Sequence, residues 1–385
     1  MPQPLVKTKF HLWFPNIFEF KGGIQVYSAT LLEALQNLYP QVDFQVFLKH
    51  DRRSSPSLSF SNPPQFHFSG RWFLPLRTAA FAAQIVGQGI WKRPDLVIAT
   101  HLNFTPAAYL LKRLTDVPYW AIAHGIEAWN IQKPGLRSAL QHADRILAVS
   151  GYTRDRLLKE QNLDPAKVAV LPNTFDATRF QIAPKPQYLL KRYGLTAEQP
   201  IILTVARLDS RERYKGYDQI LQALPKIREQ IPNIHYVLVG QGSDRPRIEQ
   251  MITQLNLQES VTLTGFIPDE ELGDHYNLCD VFAMPSKGEG FGIVYLEALA
   301  SGKPTLGGDR DGAIDALCQG ELGVLVDPDD AEAIAQSLIQ ILNKTYSHPL
   351  LYQPEKLRQK VIEYYGFERF KQTLATLLQT AELRG

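Results

Sequence analysis

The stretch VFAMPSKGEGFGIVYLEALASG, Val281 to Gly302, sets a β-rich apolar run against a loop of alternating glycines and then a helical pattern. A strand that breaks at Pro285 and hands over to a helix near Ile293 is half of a crossover unit, because parallel strands cannot be joined by a tight hairpin. In open parallel sheets, ligands collect beyond the carboxyl ends of strands, where loops lead into helix N-termini. The stretch therefore predicts both an architecture and a place for chemistry.

Working outward, the same alternation recurs along the chain. KFHLWFP, FQVFLK, QFHFSG, DLVIATH, YWAIAH, RILAVS and VAVLPN punctuate the first half. The pattern restarts after the polar, proline-containing FQIAPKPQYLLKRYGLTAEQP, with IILTVA, HYVLVG, VTLTGF, VFAMPS, PTLGG and GVLVD. At 385 residues the chain is too long for one ordinary core. The expectation is α/β: two Rossmann-like, doubly wound domains facing across a cleft, residues 1–180 and 181–365, followed by a terminal helix over 366–385.

Two cysteines, Cys279 and Cys318, are too few for a disulfide framework or a cysteine-based zinc site. The first fifteen residues, MPQPLVKTKFHLWFP, carry no long apolar run, so neither secretion nor membrane insertion is expected. The expected location is cytoplasmic, with peripheral contact at the inner face of the cell membrane. Residues 1–180 hold 20 Lys and Arg against 12 Asp and Glu, a net +8, and the remainder holds 21 against 27, a net −6. Such a basic half favours an anionic membrane surface or a phosphorylated acceptor, although a solvated face without a partner reads the same way. The helix candidate RTAAFAAQIVGQGIWKR, apolar in its middle and basic at both ends, fits a buried crossover helix or a membrane-surface element. DRRSSPSLSFSNPP, residues 51–64, reads as an exposed loop.

In the opening stretch, Gly288, Gly290 and Gly292 let backbone N–H groups approach a ligand, and the helix beginning near Ile293 adds orphan donors and the positive end of its dipole. Glu289 precedes that helix and Glu297 lies about one turn inside it. A diphosphate at the helix start would have one carboxylate on either side, Glu297 for a ribose and Glu289 for a hexose of the same nucleotide sugar. The bland reading is a helix cap followed by a solvent-facing glutamate. Arg207, after IILTVA, and Lys215, in RERYKGYDQI, fall at the same sheet edge and are expected to neutralise a nucleoside diphosphate leaving group without a metal. From the first half, Gly22 and Gly23 precede an amphipathic helix and approach the ligand from the other side. His124 ends the strand YWAIAH, followed by Gly125 and Glu127; it is a candidate for the site, or a satisfied structural histidine.

Two other motifs compete. Asp309-Arg310-Asp311 has the form of a metal-binding Asp-x-Asp, yet Asp311 equally suits a helix cap. VGQGSDRPRIEQ lacks the third glycine and the downstream acidic residue of a dinucleotide fingerprint, which speaks against NAD. No metal and no cofactor are expected, and no nucleic acid partner.

These residues resemble the retaining GT-B glycosyltransferases of family four. The marker is Glu-x7-Glu, Glu289 to Glu297 within EGFGIVYLEALASGKP, supported in order by VLPNTFDATRF, VARLDSRERYKGYDQIL, LVGQGSDRPRIE and VTLTGFIPDEEL. The resemblance implies a hexosyltransferase acting without metal by front-face attack, with no separate protein nucleophile. Arg207 and Lys215 would bind the donor diphosphate, Glu297 the ribose, and Glu289 the donor sugar with the Gly290, Phe291, Gly292 and Ile293 backbone. His124 would sit near the sugar's C6 hydroxyl and Gly23 would face the diphosphate. The donor ranking is UDP-glucose, then GDP-mannose; the acceptor would be a glycan or lipid-linked hydroxyl in bacterial envelope or exopolysaccharide synthesis. PNTFD and GGDRDGAID depart from the family's usual Pro-Asn-Gly-Val-Asp and Gly-Gly-x-x-Glu. A sugar-nucleotide epimerase and a non-catalytic sugar-binding protein are the alternatives.

Overall fold

A computed structural model describes residues 8–19, 22–53 and 63–380; most of the expected loop 51–64 lies outside the described residues. Strands form at each apolar run quoted above. In the first half these are β1 Lys9–Phe14, β2 Asp43–Leu48, β3 Gln65–Phe68, β4 Leu96–Ala99, β5 Tyr119–Ala123, β6 Arg145–Ala148 and β7 Val168–Val170. They assemble in the order β3-β2-β1-β4-β5-β6-β7, and every neighbouring pair is parallel. In the second half, β8 Ile201–Val205, β9 His235–Val239, β10 Val261–Gly265, β11 Val281–Met284, β12 Thr305–Gly308 and β13 Val324–Val326 assemble as β10-β9-β8-β11-β12-β13, also all parallel.

The reason these runs are strands is visible in their burial. β4, β5, β9 and β11 are buried at every position, because helices cover both faces and a parallel strand has no solvent side. Each buried Leu, Ile or Val side chain contributes about 1.5–3 kcal/mol relative to exposure. One core gathers Trp13, Phe47, Tyr119 and Ile146; another gathers Tyr236, Leu238, Val281 and Leu306.

Two units result, Met1–Thr174 with Phe367–Gly385, and Phe175–Gly366. Residues 175–180, expected at the end of the first domain, belong to the second unit. Phe175 bridges Gly366, Phe180 packs edge-on against Tyr276 at 5.7 Å, and Arg358 donates to the carbonyls of Ala177, at 2.9 Å, and of Phe180. The helix Phe367–Gln379 sits on the first unit: Phe370 meets Tyr27 edge-on at 5.7 Å, and Arg145 donates to the Leu377 carbonyl at 2.8 Å.

In both sheets the strand order reverses once, between β1 and β4 and between β8 and β11. Loops leaving adjacent strands on opposite sides of such a reversal leave a ligand crevice at the carboxyl edge. In the second unit this puts the segments after β8, β11 and β12 side by side.

Candidate functional site

The residues after β11 form the centre of the site. Tyr295, in the first turn of the helix Ile293–Ala300, donates to the Met284 carbonyl at 2.6 Å and lies 2.9 Å from Ser286 Oγ, tying the helix to the strand end. Asp311, fully buried after β12, completes the loop. Its Oδ2 accepts from Ser286 Oγ and from the N–H groups of Gly288 and Glu289, each at 2.7 Å, while Oδ1 accepts from the Ala313 N–H at 2.9 Å. One carboxylate thus folds the glycine loop and caps the short helix Ala313–Ala316. Burial pushes it up to about 6 against the opposing pull of those N–H groups. Gly312 makes the approach possible, since a Cβ there would stand 2.2 Å from the Gly290 carbonyl oxygen.

Lys215 reaches this loop from the single turn Arg213–Lys215 that follows β8. The Lys287 N–H donates to the Tyr214 carbonyl at 2.9 Å. Gly216, at φ 85°, lies so close to Pro285 that a Cβ would stand 2.3 Å from its carbonyl oxygen. With turn and loop locked together, Lys215 Nζ donates to Glu289 Oε1, and the two side chains are only 18% and 13% exposed. Arg207, 59% exposed, is held by Glu212, with Nε 3.1 Å from Oε2 and a second contact through Nη2.

Glu297 stands one turn inside the helix and is half-buried. Its Oε2 accepts from the Tyr276 hydroxyl at 2.7 Å, and burial pushes the carboxyl up to about 7. Tyr276 itself is raised well above the usual phenol range by burial and then by Glu297. Gly292 occupies the N-cap without a capping side chain, and the first turn holds no acidic residue. Its first-turn N–H groups and dipole are thus left without a capping side chain. Phe291 turns its ring into the interior, edge-on to Tyr365 at 5.3 Å, so its contribution to a ligand is restricted to backbone. Gly290 and Ile293 flank it in the same loop-to-helix passage.

A cavity of 170 Å³ opens at the carboxyl ends of β8 and β9, lined by Val205, Ala206, Gly240, Ile267 and Leu272, with the Phe266 ring 69% exposed at its side.

In the first unit, His124 closes β5. Its Nε2 lies 2.9 Å from the Thr100 carbonyl oxygen, its ring meets Tyr27 edge-on at 5.0 Å, and its backbone N–H donates to Glu127 Oε1 at 2.5 Å. Burial lowers the imidazole to about 4. A carbonyl only accepts, so Nε2 carries the proton and Nδ1 presents a lone pair. Gly22 is the extended N-cap of the helix Gly23–Leu38, whose first turn also lacks acidic residues, and a Cβ on Gly23 would meet nothing within 4 Å.

The Asp-x-Asp motif is put to other uses. Asp311 points inward, and Arg310 pairs with Asp327 and, at 2.7 Å, with Asp329. Among the described residues, no three His, Cys, Asp or Glu side chains converge as metal ligands. The sequence reading passed over Tyr276, Glu212 and the loop-folding role of Asp311. Only the last left a sequence signal, its position two residues before Ala313, which reads as a cap and says nothing of the loop 22 residues earlier.

Two family models match the chain: "Glycosyltransferase Family 4" over residues 21–179 and "Glycosyl transferases group 1" over residues 189–365. The GDP-mannose-dependent alpha-(1-6)-phosphatidylinositol monomannoside mannosyltransferase of Mycolicibacterium smegmatis is 36% identical over 58% of this chain and 60% of its own length. The mannosylfructose-phosphate synthase of Agrobacterium fabrum is 26% identical over 54% of this chain and 46% of its own. The match thus spans about 60% of the length of the mannosyltransferase. Among solved structures, Anabaena Alr3699/HepE in complex with UDP and glucose superposes with a TM-score of 0.77 at 19% identity, over 97% of this chain and all of that one. Sucrose-phosphate synthase from Thermosynechococcus elongatus gives 0.77 at 21%, over 97% and 98%. These likenesses show the expected GT-B fold.

Proposed function

Because the chain belongs to the group 1 glycosyltransferases of family four, we propose that it moves a hexose from a nucleoside diphosphate sugar to a hydroxyl acceptor, with retention and without a metal ion. The observation that carries this reading is the Lys215–Glu289 pair beside the uncapped start of the helix Ile293–Ala300. Lys215, Arg207 and the helix N–H groups receive the diphosphate and stabilise the negative charge that develops as the glycosidic bond to it breaks. Glu289 holds hydroxyls of the hexose, Glu297 those of the ribose, and the 170 Å³ cavity has the apolar lining that a nucleobase requires. Gly22, Gly23 and His124 lie in the first unit and are assigned to the donor by the family resemblance alone, with the Nδ1 lone pair of His124 available to accept from a hydroxyl. The leaving phosphate takes the acceptor's proton, so the chain needs no nucleophile of its own.

The donor order expected from sequence is reversed here, with GDP-mannose placed ahead of UDP-glucose. The names of the relatives at 33–36% identity support this, whereas the likeness to UDP-bound structures concerns the fold. By the same support the acceptor is a lipid-linked or oligosaccharide hydroxyl.

The test is nucleotide release from GDP-mannose, UDP-glucose and ADP-glucose, with and without glycolipid acceptors, in EDTA, with the anomeric configuration of the product read by NMR. Acceptor-dependent release undiminished by EDTA, and an α-linked product from an α-linked donor, are expected. Conversion of the nucleotide sugar without acceptor would replace transfer by epimerisation. Binding without turnover would leave a sugar-binding protein, and loss on chelation restored by Mn²⁺ would end metal independence.

A further inference from the structure

The helix Leu74–Lys92 joins β3 to β4 and lies on the first unit with an unusual outer face. Its inner face is conventional: Phe81 and Ile85 are buried, and Gly89 is so close to the helix Thr105–Thr115 that a Cβ would stand 2.4 Å from Leu111. The outer face should then be polar if it met only water. Instead the exposed positions between its two ends are Leu76, Ala79, Ala83, Gly87 and Ile90, a stripe with the i, i+3, i+7 spacing of one helix side, with Thr78 the one exposed polar residue among them. It runs about 21 Å at 1.5 Å per residue.

Both ends of the stripe carry projecting aromatics and bases. At the start, Phe73 is 65% and Leu74 72% exposed, beside Trp72. This turn is held in place by Arg77, which donates to the carbonyls of Trp72 at 2.9 Å and Gly70 at 3.0 Å. At the finish, Trp91 is 75% exposed, with Lys92 Nζ 4.7 Å from its ring centroid. From Arg71 to Arg93 there are four basic residues and no Asp or Glu.

We propose that this face docks on an anionic lipid bilayer, lying in the headgroup region. Aromatic rings and long bases at the rim of an apolar strip are what the interface rewards, the rings at headgroup depth and the cations on lipid phosphates. The helix lies on the surface rather than spanning it, since among the described residues no helix is long and apolar enough to cross. A second copy of the chain is the poorer occupant, because pairing like faces would gather the same bases with no acidic partner on either. The proposal stands independently of the transfer reading.

Flotation of the full chain with vesicles of equimolar phosphatidylglycerol and phosphatidylcholine, against pure phosphatidylcholine, tests it. Binding to the anionic vesicles is expected, weakening with salt. Phe73→Ser/Trp91→Ser and Arg71→Glu/Lys92→Glu should each bind about tenfold more weakly or worse, with thermal melts little changed because Arg71, Phe73 and Trp91 are exposed and Lys92 is only half-buried. Failure of the wild type to float, or equal flotation of both folded variants, would overturn the proposal. So would a dimer in light scattering that either variant dissolves, which would make the face a contact between copies.

Discussion

Lys215 and Glu289, 74 residues apart in sequence, meet as an ion pair at the edge of one sheet because β8 and β11 are neighbours in it. Lys215→Met removes a cation proposed to stabilise the departing diphosphate, and kcat/KM for transfer is expected to fall about 10²–10³-fold. It also leaves Glu289 enclosed without its partner, so the melting temperature should drop. Adding Glu289→Gln should restore part of the stability and none of the activity, a separation that a double-mutant cycle reads directly. Transfer by Lys215→Met at the wild-type rate under subsaturating donor would contradict the assignment.

Arg207 offers the opposite balance. Its pair with Glu212 is exposed to solvent, and such pairs contribute about 0–1 kcal/mol. Arg207→Ala should therefore leave the thermal melt almost unmoved while lowering transfer about 10²-fold. A large loss of stability with activity retained would assign Arg207 a structural part instead.

Glu297 titrates near neutrality, and this yields a signed prediction. Its carboxyl is raised from 4.5 to about 7, so the folded state holds this proton more tightly than the unfolded chain does. The resulting stability is present below about pH 4.5 and is lost as pH rises through about 7. Glu297→Gln should accordingly melt higher than wild type at about pH 8, with the gap closing toward pH 4.5. Calorimetric titration supplies the functional half: free GDP or UDP should bind wild type more weakly as pH falls below about 7, because the protonated acid accepts less well from the ribose. The Gln variant should bind weakly at every pH. Glu289→Gln should leave free nucleotide binding nearly intact and lower transfer; the reverse pattern would turn the donor around.

Asp311 is a positioning residue, and its replacement should be felt at Glu289. Asp311→Asn keeps an acceptor for the loop but sets an amide N–H against that of Ala313, at a cost of about 1–3 kcal/mol. Hydrogen exchange should show the Gly288 and Glu289 amides protected in wild type and fast in Asp311→Ala, together with reduced transfer. Unchanged protection would remove Asp311 from the site.

The strands, the two sheets and the Glu289 to Glu297 spacing were legible in the sequence, because their information is local. A parallel strand covered on both faces must be a continuous apolar run, and a helix converts the four positions from Ile293 to Glu297 into a definite rise along its axis. VFAMPS and DLVIATH declared themselves for that reason, as did the helix start at Ile293. The partners of the site residues were not legible. Which strand neighbours which decides that the turn at Lys215 and the carboxylate of Asp311 both close on the loop after β11, and nothing in RERYKGYDQI or GGDRDGAID states it. Likewise, the composition of RTAAFAAQIVGQGIWKR served a buried crossover and a lipid-facing helix equally well. Only packing against the helix Thr105–Thr115 decided which side of it is covered, since a helix with apolar residues on more than one side carries no record of the face its neighbour will take.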